Sequence, residues 1–433
     1  MSSPPDPPGV AARRAALKLL DAVLRRGLPL ESALQSATSG LDRADDRGLA
    51  HAITAAVLRW LHDLDTLIDS ATKKPLPHDA KARFLLRMAL AQTLLLETPA
   101  HAAIATVLPL ADGGPRKLIH GVFGTLTRAG AALPALPTLP PSVEIRWRTA
   151  WGEHAVEDAR HALVAQPPLD IMLADAAATD DWAAKLGGKS LLPGHVRLAA
   201  GAKVTELPGY AEGAWWVQDI AASLPARLLG SGGGRRVLDL CAAPGGKTMQ
   251  LASEGWRVTA VDASDQRMAR LRENLKRTGL AANMVIGDAL FYSPDHPFDA
   301  VLVDAPCSAT GIFRRHPDVL HRVRPKAIAG LAEQQQAILA RAAQAVKPGG
   351  TLVYAVCSLE PEEGEEVARR FLASQTNFAP TALPDDSDLY AFALKPEGHM
   401  LRAAPGALAS EGGADGFFVA MFHRKDEQPL APG

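Results

Sequence analysis

The stretch RRVLDLCAAPGGKT, residues 235–248, joins a short apolar run to a glycine-rich turn. A loop that cradles a nucleoside triphosphate reads G-x-x-x-x-G-K-[ST]. Gly246, Lys247 and Thr248 match its last three positions, but Cys241 stands where the first glycine belongs. The loop is either a damaged triphosphate loop or one shaped for a different ligand. Its surroundings narrow the choice. RRVLDL, WRVTAVD, NMVIGDA, FDAVLVDAP and GTLVYAVCS are five short runs rich in β-branched residues. Helical patterns separate them: KTMQLASEG, DQRMARLRENLKRTG and the 325–347 segment, with PEEGEEVARRFLAS after the fifth. Such alternation predicts an α/β domain over 231–425 with a doubly wound, mostly parallel sheet. DGFFVAMFHR, 415–424, reads as a late antiparallel edge strand.

The first part of the chain has a different rhythm. Residues 10–130 carry helical periodicity and almost no strand signal, so an all-α domain is expected there. In DRGLAHAITAAVLRWLHDLDTLIDS, Leu49, Ile53, Val57, Leu61, Leu64 and Ile68 recur every three or four residues, as on one face of a single long helix. AARRAALKLLDAVLRRG repeats the pattern, with Gly27 placed to end it. AALPALPTLPP, 131–141, reads as a Pro-rich linker. Residues 142–230 form a mixed α/β connecting region, 1–9 a disordered lead and 426–433 a tail.

Composition excludes some classes. The 433 residues are 47% hydrophobic and 21% charged, as in ordinary globular proteins. No apolar run reaches the roughly 18 residues of a membrane span. The opening MSSPPDPPG lacks the layout of a secretory signal. Three cysteines argue against a disulfide framework and for a reducing, cytoplasmic setting. The 13 histidines show no ligand spacing with the cysteines, so no metal is expected. Residues 1–130 hold 16 Lys and Arg against 12 Asp and Glu, a net of +4 that leaves −5 for the rest. The helical part can face a polyanion, though the same imbalance also occurs in proteins that never do.

In doubly wound sheets, ligands bind beyond the carboxyl ends of the strands, near the switch point. The loop Cys241, Ala242, Ala243, Pro244, Gly245, Gly246 and Lys247 lies at such an end. The second run ends in Asp262, suited to ribose hydroxyls. The third ends in Gly287-Asp288, placed to meet an adenine edge, and the fourth in Asp304. Acids at successive strand ends would repel a triphosphate. They suit a cationic ligand that carries a ribose and an adenine, such as S-adenosylmethionine. A dinucleotide site would prefer G-x-G-x-x-G, which is absent.

Cys307 follows the fourth run and Cys357 ends the fifth, so both thiols face the same cleft. Cys241 reads as a small buried hydrophobe beneath the loop. A thiol beside S-adenosylmethionine suits methylation of a pyrimidine. Carbon 5 is not nucleophilic until a thiolate adds at carbon 6 and makes it enamine-like. Only about 3% of an ordinary thiol is ionised at pH 7, so the site must activate it. Asp304 is the candidate to hydrogen-bond the cytosine ring, with Pro306 shaping the pocket. Arg314, Arg315 and His316 are candidates for phosphate contacts or a solvated loop. The residues alone do not rank the two thiols.

LDLCAAPGGKT, LVDAPCSATGIFRRHPD, VYAVCSLEPEEGE and DGFF together resemble the NOL1/NOP2/Sun family of RNA cytosine-C5 methyltransferases. LAHAITAAVLRWL and LLRMALAQTLLLETPAHAAI resemble the NusB-like RNA-binding domain fused to its bacterial RsmB-type (Sun/Fmu) branch. The resemblance covers about 10–425. It implies a NusB-like domain followed by a Rossmann-like class I methyltransferase domain, with S-adenosylmethionine held by Cys241 to Lys247, Asp262, Asp288 and Asp304. It implies Cys357 as nucleophile, with Cys307 assisting release of the methylated base. The implied partner is small-subunit ribosomal RNA or its assembly intermediate, with cytosine 967 of 16S rRNA the usual target. Rival readings are the same chemistry on tRNA or another rRNA site, a non-catalytic RNA-binding or assembly factor, and a triphosphate-loop nucleotidase.

Overall fold

The computed structural model describes residues 8–384 and 393–426, so the expected lead and tail fall almost wholly outside the described residues. The chain divides into two units. One comprises 1–146 together with Phe313–Val323, the other Trp147–Ile312 and Arg324–Gly433. The sequence predicts a contiguous domain over 231–425, whereas Phe313–Val323 leaves it to join the first unit.

The first unit is helical: α1 Val10–Leu24, α2 Leu30–Thr38, α3 Ala44–Arg59, α4 Leu61–Ser70, α5 Lys81–Leu95, α6 Ala100–Val107 and α7 Pro115–Arg128. Helix α5 is apolar nearly all round and sits in the core, burying Phe84, Leu85, Leu86, Met88, Ala89 and Leu90. Its buried Arg87 grips Asp65 on α4 with two hydrogen bonds of 2.8 and 2.7 Å. Burial works against the Asp65 carboxylate, yet Arg87 and Arg83 hold it below the usual range. The single long helix expected over 44–70 is two helices. Trp60, at φ −113° and ψ 23°, ends α3 and begins α4. The steps Leu49, Ile53, Val57, Leu61 advance about 40° each around a straight helix, which would carry the stripe off the core. The break resets it.

The Pro-rich stretch is irregular up to α8, and Thr138 is tied to α4. Its N–H and hydroxyl donate to Asp63 at 2.9 and 2.7 Å. In the Phe313–Val323 segment, Asp318 accepts the Leu30 N–H at 3.3 Å and Arg59 donates to the Arg314 carbonyl at 3.2 Å. His321 donates from Nε2 to the Leu58 carbonyl at 2.6 Å.

Helix α8, Pro141–Val164, is interrupted at Gly152 (φ 83°) and leads into the second unit. There β1 Leu169–Leu173, β2 His195–Leu198 and β3 Trp215–Val217 form a small antiparallel sheet in the order β2-β1-β3. Helices α9, Thr179–Leu186, and α10, Ile220–Leu229, complete the mixed region. Asp170 of β1 is buried and bound at 2.7 Å by both Arg197 Nε and Nη2, with the Ile220 N–H at 3.1 Å.

The main sheet contains β4 Arg236–Leu240, β5 Arg257–Asp262, β6 Ala282–Ile286, β7 Phe298–Asp304, β8 Val346–Val356, β9 Phe378–Pro380, β10 Met400–Ala403 and β11 Phe417–Arg424. Its order is β10-β11-β8-β7-β4-β5-β6, with β9 beside β11. The pairs β4–β5, β5–β6, β4–β7 and β7–β8 are parallel. The order reverses at β4, so the switch point lies between β4 and β7. Strand β11 is antiparallel to β8, as expected, but is not an edge. Strands β10 and β9 pair along its other side. Helices α11 Gly246–Ser253, α12 Asp265–Thr278, α13 Val319–Arg322, α14 Pro325–Gln344 and α15 Glu365–Ser374 complete the set, with α13 in the first unit.

Burial lowers the His321 pKa from 6.5 to about 4, and it also lowers that of His62, 6.3 Å away between ring centres. The unfolded chain therefore binds more protons between about pH 4 and 6.5, and acidification through that window favours unfolding. The midpoint of thermal unfolding should fall as pH drops from about 6.5 to about 4. His321→Asn should flatten that dependence, as measured by circular dichroism melts at several pH values.

Candidate active site

Register brings the site together. Leu240 pairs with Val261 on one side and Val303 on the other, so Cys241, Asp262 and Asp304 emerge at one level of the sheet. Asp304 pairs with Ala355, which puts Cys357 two residues beyond that level. Asp262 pairs with Ile286, and Asp288 lies two residues further.

The loop after β4 needs unusual backbone. Cys241 has φ 61°, Gly245 has φ 107°, and the Ala243–Pro244 peptide is cis. The Ala242 N–H donates to the Val261 carbonyl at 3.1 Å and the Ala243 N–H to Asp262 at 3.2 Å. Gly245 caps α11, and a Cβ there would lie 2.1 Å from Leu271 Cδ1.

The two side chains that would serve a triphosphate are engaged inward. Lys247 Nζ donates to Asp304 Oδ2 at 2.8 Å and lies 5.0 Å from the centre of the Phe417 ring. Thr248 donates its hydroxyl proton to Asp239 at 2.6 Å. Burial disfavours the Lys247 ammonium, but Asp304 outweighs it through its charge and hydrogen bond, and the Lys247 pKa is raised. Asp239 is fully buried, which raises its pKa to about 7 against the pull of Thr248.

Asp262 is buried and accepts from the Ala243 N–H, the Ser264 N–H at 2.9 Å and Arg267 at 2.8 Å. Asp288 is exposed and accepts the Leu290 N–H at 2.9 Å. Burial, and then the carboxylates of Asp304, Asp262 and Asp239, push the Cys241 thiol up to about 12. Cys241 is thus an inert thiol, packed against the sheet core.

Cys307 and Cys357 are half-buried, with sulfurs 3.5 Å apart. The hydrogen bond to Cys357, and then burial, hold the Cys307 thiol well above its ordinary value. Either thiol can donate the hydrogen bond between them.

Behind these thiols lies a buried polar cluster that sequence reasoning missed. Glu363 Oε1 accepts the Ser308 N–H at 2.8 Å and Gln335 Nε2 at 3.1 Å. Its Oε2 accepts the Ser308 hydroxyl and the Ser358 hydroxyl, the latter at 2.5 Å. Gln335 also donates to the Pro306 carbonyl at 2.8 Å, and the Tyr354 hydroxyl donates to the Glu363 carbonyl at 2.5 Å. Glu363 lies in the stretch PEEGEEVARRFLAS, whose pattern reads as a helix; Pro361 and Gly364 within it are the signal of a turn. Gly311 and Gly416 cross closely here: a Cβ on Gly311 would fall 2.0 Å from the Gly416 carbonyl oxygen.

The trio Arg314, Arg315 and His316 lies in the first unit. Arg314 is 3% exposed, so its side chain is not the exposed phosphate contact that its position in the sequence suggests. Among the described residues, no group of three or more His, Cys, Asp or Glu could hold a metal, and no helix is long and apolar enough to cross a membrane.

Residues 226–423 match the family model described as 16S rRNA methyltransferase RsmB/F, and residues 10–122 match that of the NusB family. The chain is 36% identical over 394 residues to ribosomal RNA small subunit methyltransferase B of Klebsiella pneumoniae, covering 83% of this chain and 89% of that one. It is 34% identical over 438 residues to the protein of the same name from Xanthomonas campestris, covering 95% and 97%. The chain belongs to the 16S rRNA methyltransferase RsmB/F family. The solved structure of NSun6 from Pyrococcus horikoshii shares the fold, with a TM-score of 0.58 at 18% identity, covering 66% of this chain and 99% of that one. The NusB match falls on the helical unit and the RsmB/F match on the doubly wound sheet, as the sequence predicts.

Gly245→Ala should destabilise the protein by about 1–3 kcal/mol, because a side chain there is strained by both φ and Leu271. Thermal unfolding of the variant against wild type measures the loss.

Proposed function

We propose that this RsmB/F-family protein transfers a methyl group from S-adenosylmethionine to carbon 5 of a cytosine in small-subunit ribosomal RNA, at cytosine 967 of 16S rRNA. The reading rests above all on two thiols 3.5 Å apart at the ends of adjacent parallel strands, beside the Lys247–Asp304 pair. The residues present fit the cofactor. The loop after β4 lies at the switch point of the sheet, and Asp262 and Asp288 offer carboxylates at neighbouring strand ends. S-adenosylmethionine, when bound, supplies an electrophilic methyl group. The loop from Cys241 to Lys247 and Asp262, Asp288 and Asp304 would hold it.

In this reading the Cys357 thiolate adds to carbon 6 of the cytosine, forming an S–C bond and moving the ring electrons toward carbon 5. Asp304, fixed by Lys247, hydrogen-bonds the ring. Carbon 5 takes the methyl group. Loss of the carbon 5 proton to water then re-forms the double bond, breaks the bond from carbon 6 to sulfur and expels the Cys357 thiolate. Cys307 promotes that last step. Its sulfur lies 3.5 Å from that of Cys357, within reach of the adduct. The order of the two thiols, Cys357 as nucleophile and Cys307 in release, is the one that the family resemblance implies. The NusB-like unit supplies RNA binding, and the substrate is the rRNA or an assembly intermediate.

Unmodified small-subunit rRNA incubated with labelled S-adenosylmethionine should gain a single 5-methylcytosine, located by bisulfite sequencing. Product on tRNA alone, or none with saturable cofactor binding, would overturn the assigned substrate. Cys357→Ala should abolish transfer while cofactor affinity stays within about twofold, and substantial residual turnover would defeat the nucleophile assignment. Cys307→Ala should accumulate a covalent protein–RNA adduct, seen as a slow band on a denaturing gel.

A further inference from the structure

We propose that Glu363 is a positioning residue whose carboxyl group clamps the two thiol-bearing loops at their working separation. Its link to catalysis rests on the function proposed above, but the clamp itself can be tested without it. Ser308 directly follows Cys307 and Ser358 directly follows Cys357. One carboxyl group takes both, through the Ser308 N–H and hydroxyl and the Ser358 hydroxyl. These residues lie 50 positions apart in sequence.

The clamp has a fixed base. The Tyr354 hydroxyl holds the Glu363 carbonyl at 2.5 Å, and Gln335 of α14 holds both the carboxyl group and the Pro306 carbonyl, just before Cys307. The Gly311 N–H donates to the Cys357 carbonyl at 3.0 Å, tying one loop to the other on the thiol side. Glu363 and its partners Ser308, Ser358, Gln335 and Tyr354 are all buried, so water does not substitute for a lost bond. Glu363 touches neither sulfur in any hydrogen bond of the structure; it acts through the residue next to each.

A trivalent arsenical measures the sulfur separation directly. Phenylarsine oxide condenses with two nearby thiols to form two As–S bonds and release one water. Wild type should bind it one to one through Cys307 and Cys357, and binding should be lost in Cys307→Ala. Glu363→Ala should weaken that binding at least about tenfold and lower kcat by about 100-fold, while KM for S-adenosylmethionine stays within about twofold. Glu363→Gln should restore most of both, because serine hydroxyls can accept from the amide as well as donate to it. If Glu363→Ala does not fold, Ser358→Ala cuts one arm of the clamp and should weaken arsenical binding in the same sense. Arsenical affinity and kcat at wild-type values in either folded variant would overturn the proposal. If wild type transfers no methyl group to rRNA while Glu363→Ala still weakens arsenical binding, the functional reading falls and the clamp stands.

Discussion

The 2.8 Å ion pair between Lys247 and Asp304 is the contact on which the site depends. Asp239, Asp262 and Asp304 come together with three thiols at the end of one sheet. Burial, and then the neighbouring carboxylates, raise the pKa values of Asp239 and Cys241. Lys247 is the buried cation set among them, and it sits at the start of α11, held in place by the Gly245 turn. The same lysine that suggests a triphosphate loop in the sequence is committed to a carboxylate. A site with this charge balance favours a cationic ligand over a polyanionic one.

The two thiols are organised differently. Their proximity comes from strand order, because β7 and β8 are neighbours in parallel register. Register alone does not hold the loops beyond the strand ends. That is done by buried side chains from three further elements: Glu363 ahead of α15, Gln335 on α14 and Arg402 on β10, which pairs with Glu365 at 3.0 and 2.6 Å and also donates to the Ser358 carbonyl. Glu363, Glu365 and Arg402 all have hydrogen-bond partners, as buried charges require. The framework behind the sulfurs is thus polar and directional, and it can specify a distance in a way that an apolar packing contact does not.

Much of the site was legible in the sequence. The strand-end acids, the Cys241–Lys247 loop and the two cysteines follow from short apolar runs, each ending in a reactive residue. Periodicity does not show the break at Trp60, because it records spacing and not the slow drift of a stripe around a straight helix. Nor does it show that 417–424 is an inner strand, because its partners β9 and β10 are only 3 and 4 residues long, too short to stand out as strands. Glu363 carries no local mark, because its partners lie elsewhere in the chain.

Local features are legible in the residues alone: a helical first part, a strand–helix alternation after 235, and loops whose residue types suit a cationic adenosyl ligand and thiol chemistry. Which of these groups meet depends on the packing of the folded chain. It turned Lys247 and Thr248 onto Asp304 and Asp239, brought sulfurs 50 residues apart to 3.5 Å, buried Glu363 between their loops and returned Phe313–Val323 to the helical unit. Apart from the bond between Thr248 and Asp239, nine residues apart, these outcomes join residues far apart in the chain. Their geometry exists only once strand order and register are set, so no short window of sequence shows it.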